Sequence, residues 1–177
     1  MNDLTHDAFT DWETRIAAVW KIADTLTPQE LVRTMDQLAS ERPVDDAFAL
    51  FERACARDTA GIEDGAEPLY RAALASGSLD PYRHARASIQ LGSTLRHLDR
   101  LDESERLLLA QLDRCRAGGA GAVLHDEVRT VLALTWLAQG RAVEAAALAL
   151  ETLAPHLTRY TRSVAANARA LRGTAGH

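Results

Sequence analysis

The sequence predicts an all-α protein, an α-solenoid of about three helical hairpins with two N-terminal helices and a C-terminal capping helix. Strand signals are almost absent, because aromatic residues are only 5% of the chain and no β-branched run alternates with polar residues. Strong helix formers dominate instead, chiefly alanine, leucine, arginine and glutamate. Helical patterns break at Gly61, at Asp99 38 residues later, and at Gly140 41 residues after that. A repeat of about 34 to 40 residues with a tight turn in each unit is typical of an α-solenoid of stacked helix pairs.

The composition fits one globular domain with neither a nucleic-acid nor a membrane partner. Of 177 residues, 47% are apolar and 25% charged, and the net charge is -5. The basic residues, nearly all arginine, alternate with acidic ones, which favours solvated helix faces over a phosphate-binding stripe. The chain has no apolar run of about 18 residues, and its acidic N-terminus does not resemble a signal peptide. We therefore expect a cytoplasmic protein in which Cys55 and Cys115 are reduced thiols.

Two amphipathic helices are predicted within residues 1–44, packing as a pair on the repeats. The first places Trp12 and Trp20 on one apolar face. The second begins at Thr27, with Glu30 three residues later, which is the pattern of a capping box. We expect both tryptophans to pack on the first hairpin, and the alternative is that they form a homodimer interface.

The repeats are predicted in residues 45–172. Their approximate bounds are 45–80, 81–117 and 122–157, and a capping helix follows at 158–172. Either Asp45 or Asp46 is expected to cap the first helix of hairpin one. Asp126 is expected to cap the first helix of hairpin three.

Hairpin two explains why the helix in the stretch from Ile89 to Leu108 is interrupted so briefly. The break at Asp99 is predicted to be the turn between two antiparallel helices, with Asp102 capping the second. Gly92 lacks a side chain, so the two helices are expected to cross closely there. Leu95 and Leu98 are expected to fill the space between them.

These residues resemble the tetratricopeptide repeat family. Hairpin two matches the family pattern at Leu91, Gly92, Leu95, Leu98, Leu101, Ser104, Leu108 and Gln111. Ser104 replaces the usual alanine and Asp99 the usual glycine. Hairpin three matches at Leu132, Ala133, Trp136, Gly140, Ala145 and Ala149, whereas hairpin one is weaker, with Arg53 at a normally apolar position. Residues 41–172 also resemble a group of small, mostly uncharacterised bacterial members of the family.

The resemblance implies a scaffold that binds a protein or peptide in a concave groove and performs no chemistry. In this family the first helix of each pair lines the inner surface. The implied groove residues are Phe51 and Asp58 in hairpin one, Arg86, Ile89, Gln90, Ser93, Arg96 and His97 in hairpin two, and Thr130 and Leu134 in hairpin three. Neither a catalytic residue nor a cofactor is predicted.

The two arginines suggest what such a groove would bind. Arg86 and Arg96 are suited to clamping the carboxylates of an acidic peptide or of the carboxyl terminus of a protein. Alternatively, Arg96 forms a structural ion pair with Asp58, which holds the same register position in hairpin one. A different class of function is also open: a small helical enzyme or accessory protein that holds a small anionic ligand at this arginine-rich surface.

The histidines and cysteines do not form a recognisable reactive site. The six histidines are scattered and form no helical pair of the HxxxH type, so no metal site is predicted. A Cys55–His97 pair on adjacent inner helices would lack an orienting group, which favours a buried apolar cysteine. A third possibility is a self-assembling homodimer whose groove is filled by an N-terminal helix.

Overall fold

The computed structural model describes the backbone of residues 3–174 and the side chains of residues 8–173. Within this part of the chain all regular structure is helical, which confirms the predicted fold class. The α-helices are Asp3–Lys21 (α1), Pro28–Ala39 (α2), Ala47–Thr59 (α3), Glu63–Ala75 (α4), Pro81–His97 (α5), Leu101–Arg116 (α6), His125–Ala138 (α7), Ala142–Leu153 (α8) and Thr161–Thr174 (α9). They form two compact units that divide between Leu79 and Asp80.

The first unit contains α1 to α4, and both N-terminal tryptophans are used inside it. Trp12 is 3% exposed and packs in a cluster with Ala49 and Ala56 of α3, while its indole donates to Leu38 O at 2.8 Å. The Trp20 indole donates to the carboxylate of Glu52 on α3 at 2.7 Å. The tryptophans therefore pack against the first hairpin, as expected, and the buried ring of Trp12 offers no surface to a second protein.

Local start signals position the helices of this unit. Thr27 accepts from the backbone N–H of Glu30, whose carboxylate accepts from the Thr27 N–H at 2.9 Å, so the predicted capping box is confirmed. Asp46, rather than Asp45, caps α3 by accepting from Ala49 N at 2.9 Å. The first helix ends at Lys21.

The second unit contains two antiparallel hairpins, α5/α6 and α7/α8, with α9 packed on α8. Asp99 and Gly140 have φ of 58° and 81°, so both turns use the left-handed conformation. Two predicted caps are wrong, because α6 already begins at Leu101 and α7 at His125. Asp102 and Asp126 therefore lie inside the first turn, where a carboxylate still interacts favourably with the helix dipole.

Hairpin two has the close crossing that its glycine predicts. A Cβ at Gly92 would lie 2.8 Å from the side chain of Leu108 on the opposite helix. Leu95 is buried as expected, whereas Leu98 is only half-buried. Ser104 Oγ donates to Gly92 O at 2.7 Å and shares a 2.9 Å hydrogen bond with Thr135 Oγ1 of α7. One buried hydroxyl thus joins three helices of the unit.

Candidate interaction face

The candidate groove residues of hairpin two lie along α5. Arg86, Ile89, Gln90, Ser93 and Arg96 are half-buried there, and His97 is exposed. This helix therefore presents a mainly polar surface that becomes basic towards its C-terminal end.

Arg96 and His97 form the basic end of this surface. Arg96 Nη2 lies 2.8 Å from His97 Nε2 and 3.4 Å from Ser93 Oγ. A guanidinium only donates hydrogen bonds, so His97 Nε2 is the acceptor in this contact. Arg96 Nε is shielded from solvent and has no hydrogen-bond partner in the described part of the protein.

The α7 helix presents an apolar surface. Leu134 is 45% exposed and Leu137 is 55% exposed, one turn apart on the helix. Thr130 is also exposed, but its hydroxyl donates to Asp126 O at 2.7 Å, so its hydrogen bond is made within the helix. The two leucines are therefore the large apolar side chains that α7 exposes to another molecule.

A pocket of about 620 Å³ adjoins Thr130. It is lined mostly by apolar groups and has acidic side chains at its edge: Ile89, Asp126, Glu127, Thr130, Val131, Ala149, Thr152, Leu153 and His156. Of the predicted site residues, the structure brings Ile89 and Thr130 together here. The contribution of α8 was missed because the resemblance places only the first helix of each pair on the inner surface. Leu153 is 49% accessible at the end of α8, an exposure that the sequence pattern does not reveal.

Asp126, at the acidic edge of the pocket, has a lowered pKa and stays charged at neutral pH. Asp126 Oδ2 lies 3.0 Å from His156 Nε2, and Asp126 Oδ1 lies 3.1 Å from His125 Nδ1. Partial burial acts to raise the pKa of Asp126, but hydrogen bonds from His156 and His125 outweigh it, and the pKa lies below its ordinary value. Asp126 and its exposed neighbour Glu127 therefore form an acidic end at the start of α7.

The helices α5 and α7 run parallel, which separates the two charged ends. A Cβ on Gly121, just before α7, would lie 2.8 Å from Pro81 O at the start of α5. Further along, Gly92 and Thr135 both hydrogen-bond to Ser104. The contacts thus progress in the same direction on both helices, so Arg96 and His97 lie level with the end of α7. We call this surface the C-terminal face. It has the acidic end, with Arg86 of α5 at about the same level, an apolar centre of Ile89, Val131, Leu134, Leu137 and Leu153, and the basic end at Arg96.

The two candidates from hairpin one lie in the first unit. Phe51 is completely buried, with its ring centroid 6.3 Å from that of Tyr70. Phe51 therefore packs in the core and does not line a groove, so the prediction that it is a binding residue is wrong. Asp58 accepts a 3.4 Å hydrogen bond from Tyr70 Oη, and burial raises the pKa of that phenol. The Asp58–Arg96 pair joins a residue of each unit and stays a prediction.

The arginines around a smaller pocket in the first unit are already paired. This pocket, of about 320 Å³, is lined by residues that include Arg42 and Arg53. Arg42 contacts Asp46 at 2.6 Å, and Arg53 contacts Asp36 at 2.8 Å. An anionic ligand here would therefore compete with internal carboxylates.

Metal-binding clusters and membrane-spanning helices are both missing from the described residues. No group of three or more His, Cys, Asp or Glu side chains among them is arranged to hold a metal ion. None of the helices within residues 3–174 combines the length and apolar character required to cross a membrane. Cys55 is 1% exposed and Cys115 is 5% exposed, so both thiols are buried.

Comparison with known proteins supports the resemblance seen in the sequence. A family model described as tetratrico peptide repeat matches residues 47–171, which is well over half of the protein. Comparisons with curated proteins and with solved structures gave no match. The matched range begins at the first residue of α3 and ends inside α9, so it includes every hairpin with a left-handed turn. The chain belongs to the tetratricopeptide repeat family.

Proposed function

We propose that this protein is a non-catalytic interaction module that binds a protein segment on its C-terminal face. Tetratricopeptide repeats generally mediate protein–protein interactions, and they are generally non-catalytic. The observation that carries the proposal is the exposure of Leu134 and Leu137 on α7, the helix that also lines an apolar pocket. Contiguous exposed apolar surface of this kind marks interaction sites on soluble proteins.

The arrangement of the face resembles the anatomy of a protein interface. Its centre is apolar, and its two ends are polar and charged, which matches the apolar core and polar rim of such interfaces. Each leucine that a partner covers would contribute in proportion to the apolar area removed from water. The charged ends would mainly set the orientation of the bound segment and its rate of association.

The second candidate function, binding of a small anion near Arg86 and Arg96, has one observation in its favour. Arg96 has a shielded Nε without a hydrogen-bond partner in the described residues, and its Nη2 lies within hydrogen-bond distance of Ser93 and His97 rather than of a carboxylate. An anion bound at its remaining donors would form charge-assisted hydrogen bonds. The pocket beside α7 is unsuited to the same ligand, because Asp126 and Glu127 would repel it.

The experiment is affinity capture from a lysate of the source cells with wild-type protein and three variants. Leu134→Glu places a charge in the apolar centre, and Arg86→Glu/Arg96→Glu tests the arginines. Leu109→Glu is the matched control, because Leu109 is a 39% exposed leucine on α6. Thermal melts establish that all variants fold.

We expect a protein that is retained by wild type and by Leu109→Glu and is lost from Leu134→Glu. Capture that is unchanged by Leu134→Glu, with equal melting temperatures, would refute the apolar centre of the C-terminal face as the site. Loss of capture only in the double arginine variant would favour the acidic-segment clamp.

A further inference from the structure

The last helix of the protein is opposite in charge to the rest of the chain. The last acidic residue is Glu151, and residues 152–177 contain four arginines and neither aspartate nor glutamate. The net charge of the whole chain is -5, and residues 152–177 contribute +4 to it, so residues 1–151 carry -9. Helix α9 and the turn before it therefore form a basic segment on an acidic protein. Such a local concentration of one sign of charge attracts a partner of the opposite sign.

Three of the four arginines are not engaged by carboxylates. Arg172 bonds Glu151 of α8 at 3.1 Å. By contrast, Arg159, Arg162 and Arg169 are exposed and form no ion pair with another described residue. Most arginines on the other helices are paired with a carboxylate of the same chain. The guanidinium groups of α9 are therefore open to carboxylates from another molecule, which they can bind through paired hydrogen bonds.

Two of these arginines lie on the same side of α9. Arg162 and Arg169 are seven residues apart, which is about 10.5 Å along the helix and about 20° from alignment around it. Ala168, which is 0% exposed, lies about 100° or more from both around the axis. The arginines therefore point away from the side of α9 that packs on α8. Ala166 and Ala170 beside them are exposed and short, so a partner can approach both guanidinium groups closely.

Tyr160 adds an aromatic side chain to this basic segment, between Arg159 and Arg162 in the sequence. It is 75% exposed, and its φ of 66° is a left-handed conformation that bulky residues rarely adopt. Its carbonyl oxygen accepts from Val164 N at 2.9 Å, so this conformation belongs to the start of α9. Tyrosine and arginine are both enriched in protein interfaces. The tyrosine hydroxyl can also donate a hydrogen bond to a carboxylate.

We propose that the exposed side of α9 binds an acidic segment of another protein. This α9 surface consists of Arg159, Tyr160, Arg162 and Arg169, and it shares no residue with the C-terminal face. The positions of Arg162 and Arg169 are about 10.5 Å apart along the helix, which is the length of about three residues of an extended chain. The surface therefore fits a segment with carboxylates at that spacing.

Two other kinds of anionic partner fit this surface less well. A nucleic acid is a long polyanion, and beyond α9 its phosphates would meet a protein body of charge -9. A helix that lies on an anionic membrane inserts an apolar face, whereas the buried side of α9 is used against α8. A short acidic segment needs to contact α9 alone.

The test is fluorescence anisotropy of a labelled poly-glutamate peptide, titrated with the full-length protein. The peptide has about ten residues, and the salt concentration is about 0.1 M, where charges more than about 10 Å away are screened. Arg162→Gln/Arg169→Gln should bind about two- to thirty-fold more weakly than wild type, the range for two exposed ion pairs. Arg106→Gln/Arg114→Gln is the matched control, because it removes the same charge from two exposed positions on α6 and should bind like wild type. Circular dichroism establishes that both variants fold.

Several results would overturn the proposal. The α9 surface is not the site if wild type binds poly-glutamate no better than poly-glutamine, or if both arginine variants bind equally. Tighter binding of single-stranded DNA of the same charge, or of phosphatidylcholine vesicles containing phosphatidylserine, would replace the protein segment by that partner. A dimer mass in sedimentation equilibrium that is lost in Arg162→Gln/Arg169→Gln would replace it by a second copy. Leu134→Glu should leave peptide binding unchanged, so this proposal and the proposed function are tested separately.

Discussion

Replacing Gly92 by alanine tests whether the close crossing in hairpin two is as tight as the structure shows. The new Cβ would lie 2.8 Å from Cγ and from Cδ2 of Leu108, and 3.1 Å from Cδ1. Favourable carbon–carbon contacts lie at about 3.5–4.0 Å, so the side chain of Leu108 would have to withdraw by roughly 1 Å. Leu108 is 0% exposed and is surrounded by core residues of α6, α7 and α8. The strain therefore cannot be relieved into solvent.

Two opposing terms set the expected magnitude. Adding a methyl group to a packed core costs about 1–3 kcal/mol. Replacing glycine by alanine inside a helix stabilises the folded protein by about 0.5–1 kcal/mol. The free energy of unfolding should therefore fall by up to about 2.5 kcal/mol. For a protein of this size, each kcal/mol of lost stability lowers the melting temperature by about 2–4 °C.

Thermal unfolding followed by circular dichroism at 222 nm measures the effect. Gly173→Ala is the control, because a Cβ at Gly173 in α9 would meet no other atom within 4 Å. In the background of Leu108→Ala, the added methyl at Gly92 should be neutral or stabilising, since the space it needs has been vacated. If Gly92→Ala raises the melting temperature of wild type as Gly173→Ala does, the helices are not in contact at Gly92.

Three further predictions concern polar groups. Ser104→Ala removes the buried hydroxyl that bonds α5 and α7 and should lower the free energy of unfolding by about 1 kcal/mol, measured by urea titration. Asp46→Ala removes the cap of α3 and should cost about 1 kcal/mol, whereas Asp45→Ala, an exposed neighbour, should leave the urea midpoint unchanged. Burial acts to raise the pKa of Asp36, but hydrogen bonds from Arg57 and Arg53 lower it on balance. The stabilisation from Asp36 is therefore complete above the unfolded-state pKa of about 3.9 and is lost as the pH falls below it. The stability of Asp36→Asn should accordingly fall less steeply than that of wild type between pH 5 and pH 2.

Local sequence patterns predicted most helix positions but not every residue at which a helix starts. The capping box at Thr27 and the left-handed turn at Gly140 involve residues close together in sequence, so both can be predicted from the sequence alone. Asp102 and Asp126 also have the composition of caps, yet both helices begin one residue before them. In a hairpin the tight turn and the packing of the following helix decide where that helix starts, and the capping preference of one residue is worth only about 1 kcal/mol.

The candidate site was predictable only in part, because burial depends on contacts between distant segments. Phe51 has the register of an inner-surface residue, but Tyr70 of the next helix covers it. Ile89 and Thr130 were expected on the same surface and do line one pocket, since α5 and α7 are both first helices of a pair. Leu153 and His156 complete that pocket from the second helix of a pair and the turn after it. The repeat register predicts surface residues only on first helices, so it did not predict these two. The more specific likeness to small bacterial members of the family stays a prediction.

The alignment of the charged ends depends on a buried polar contact. Ser104 occupies a position where the family usually has alanine, and its hydroxyl lies between Gly92 of α5 and Thr135 of α7. An apolar residue there would fill the space without fixing how far one helix slides along the other, whereas a buried hydrogen bond has a narrow range of lengths and angles. A slide of one helical turn is about 5.4 Å, enough to move Arg96 and His97 away from the level of the last residues of α7. Ser104→Ala should therefore lower the affinity for a partner that contacts both ends of the face. The loss should be larger than that caused by Leu109→Glu, although Ser104 is buried.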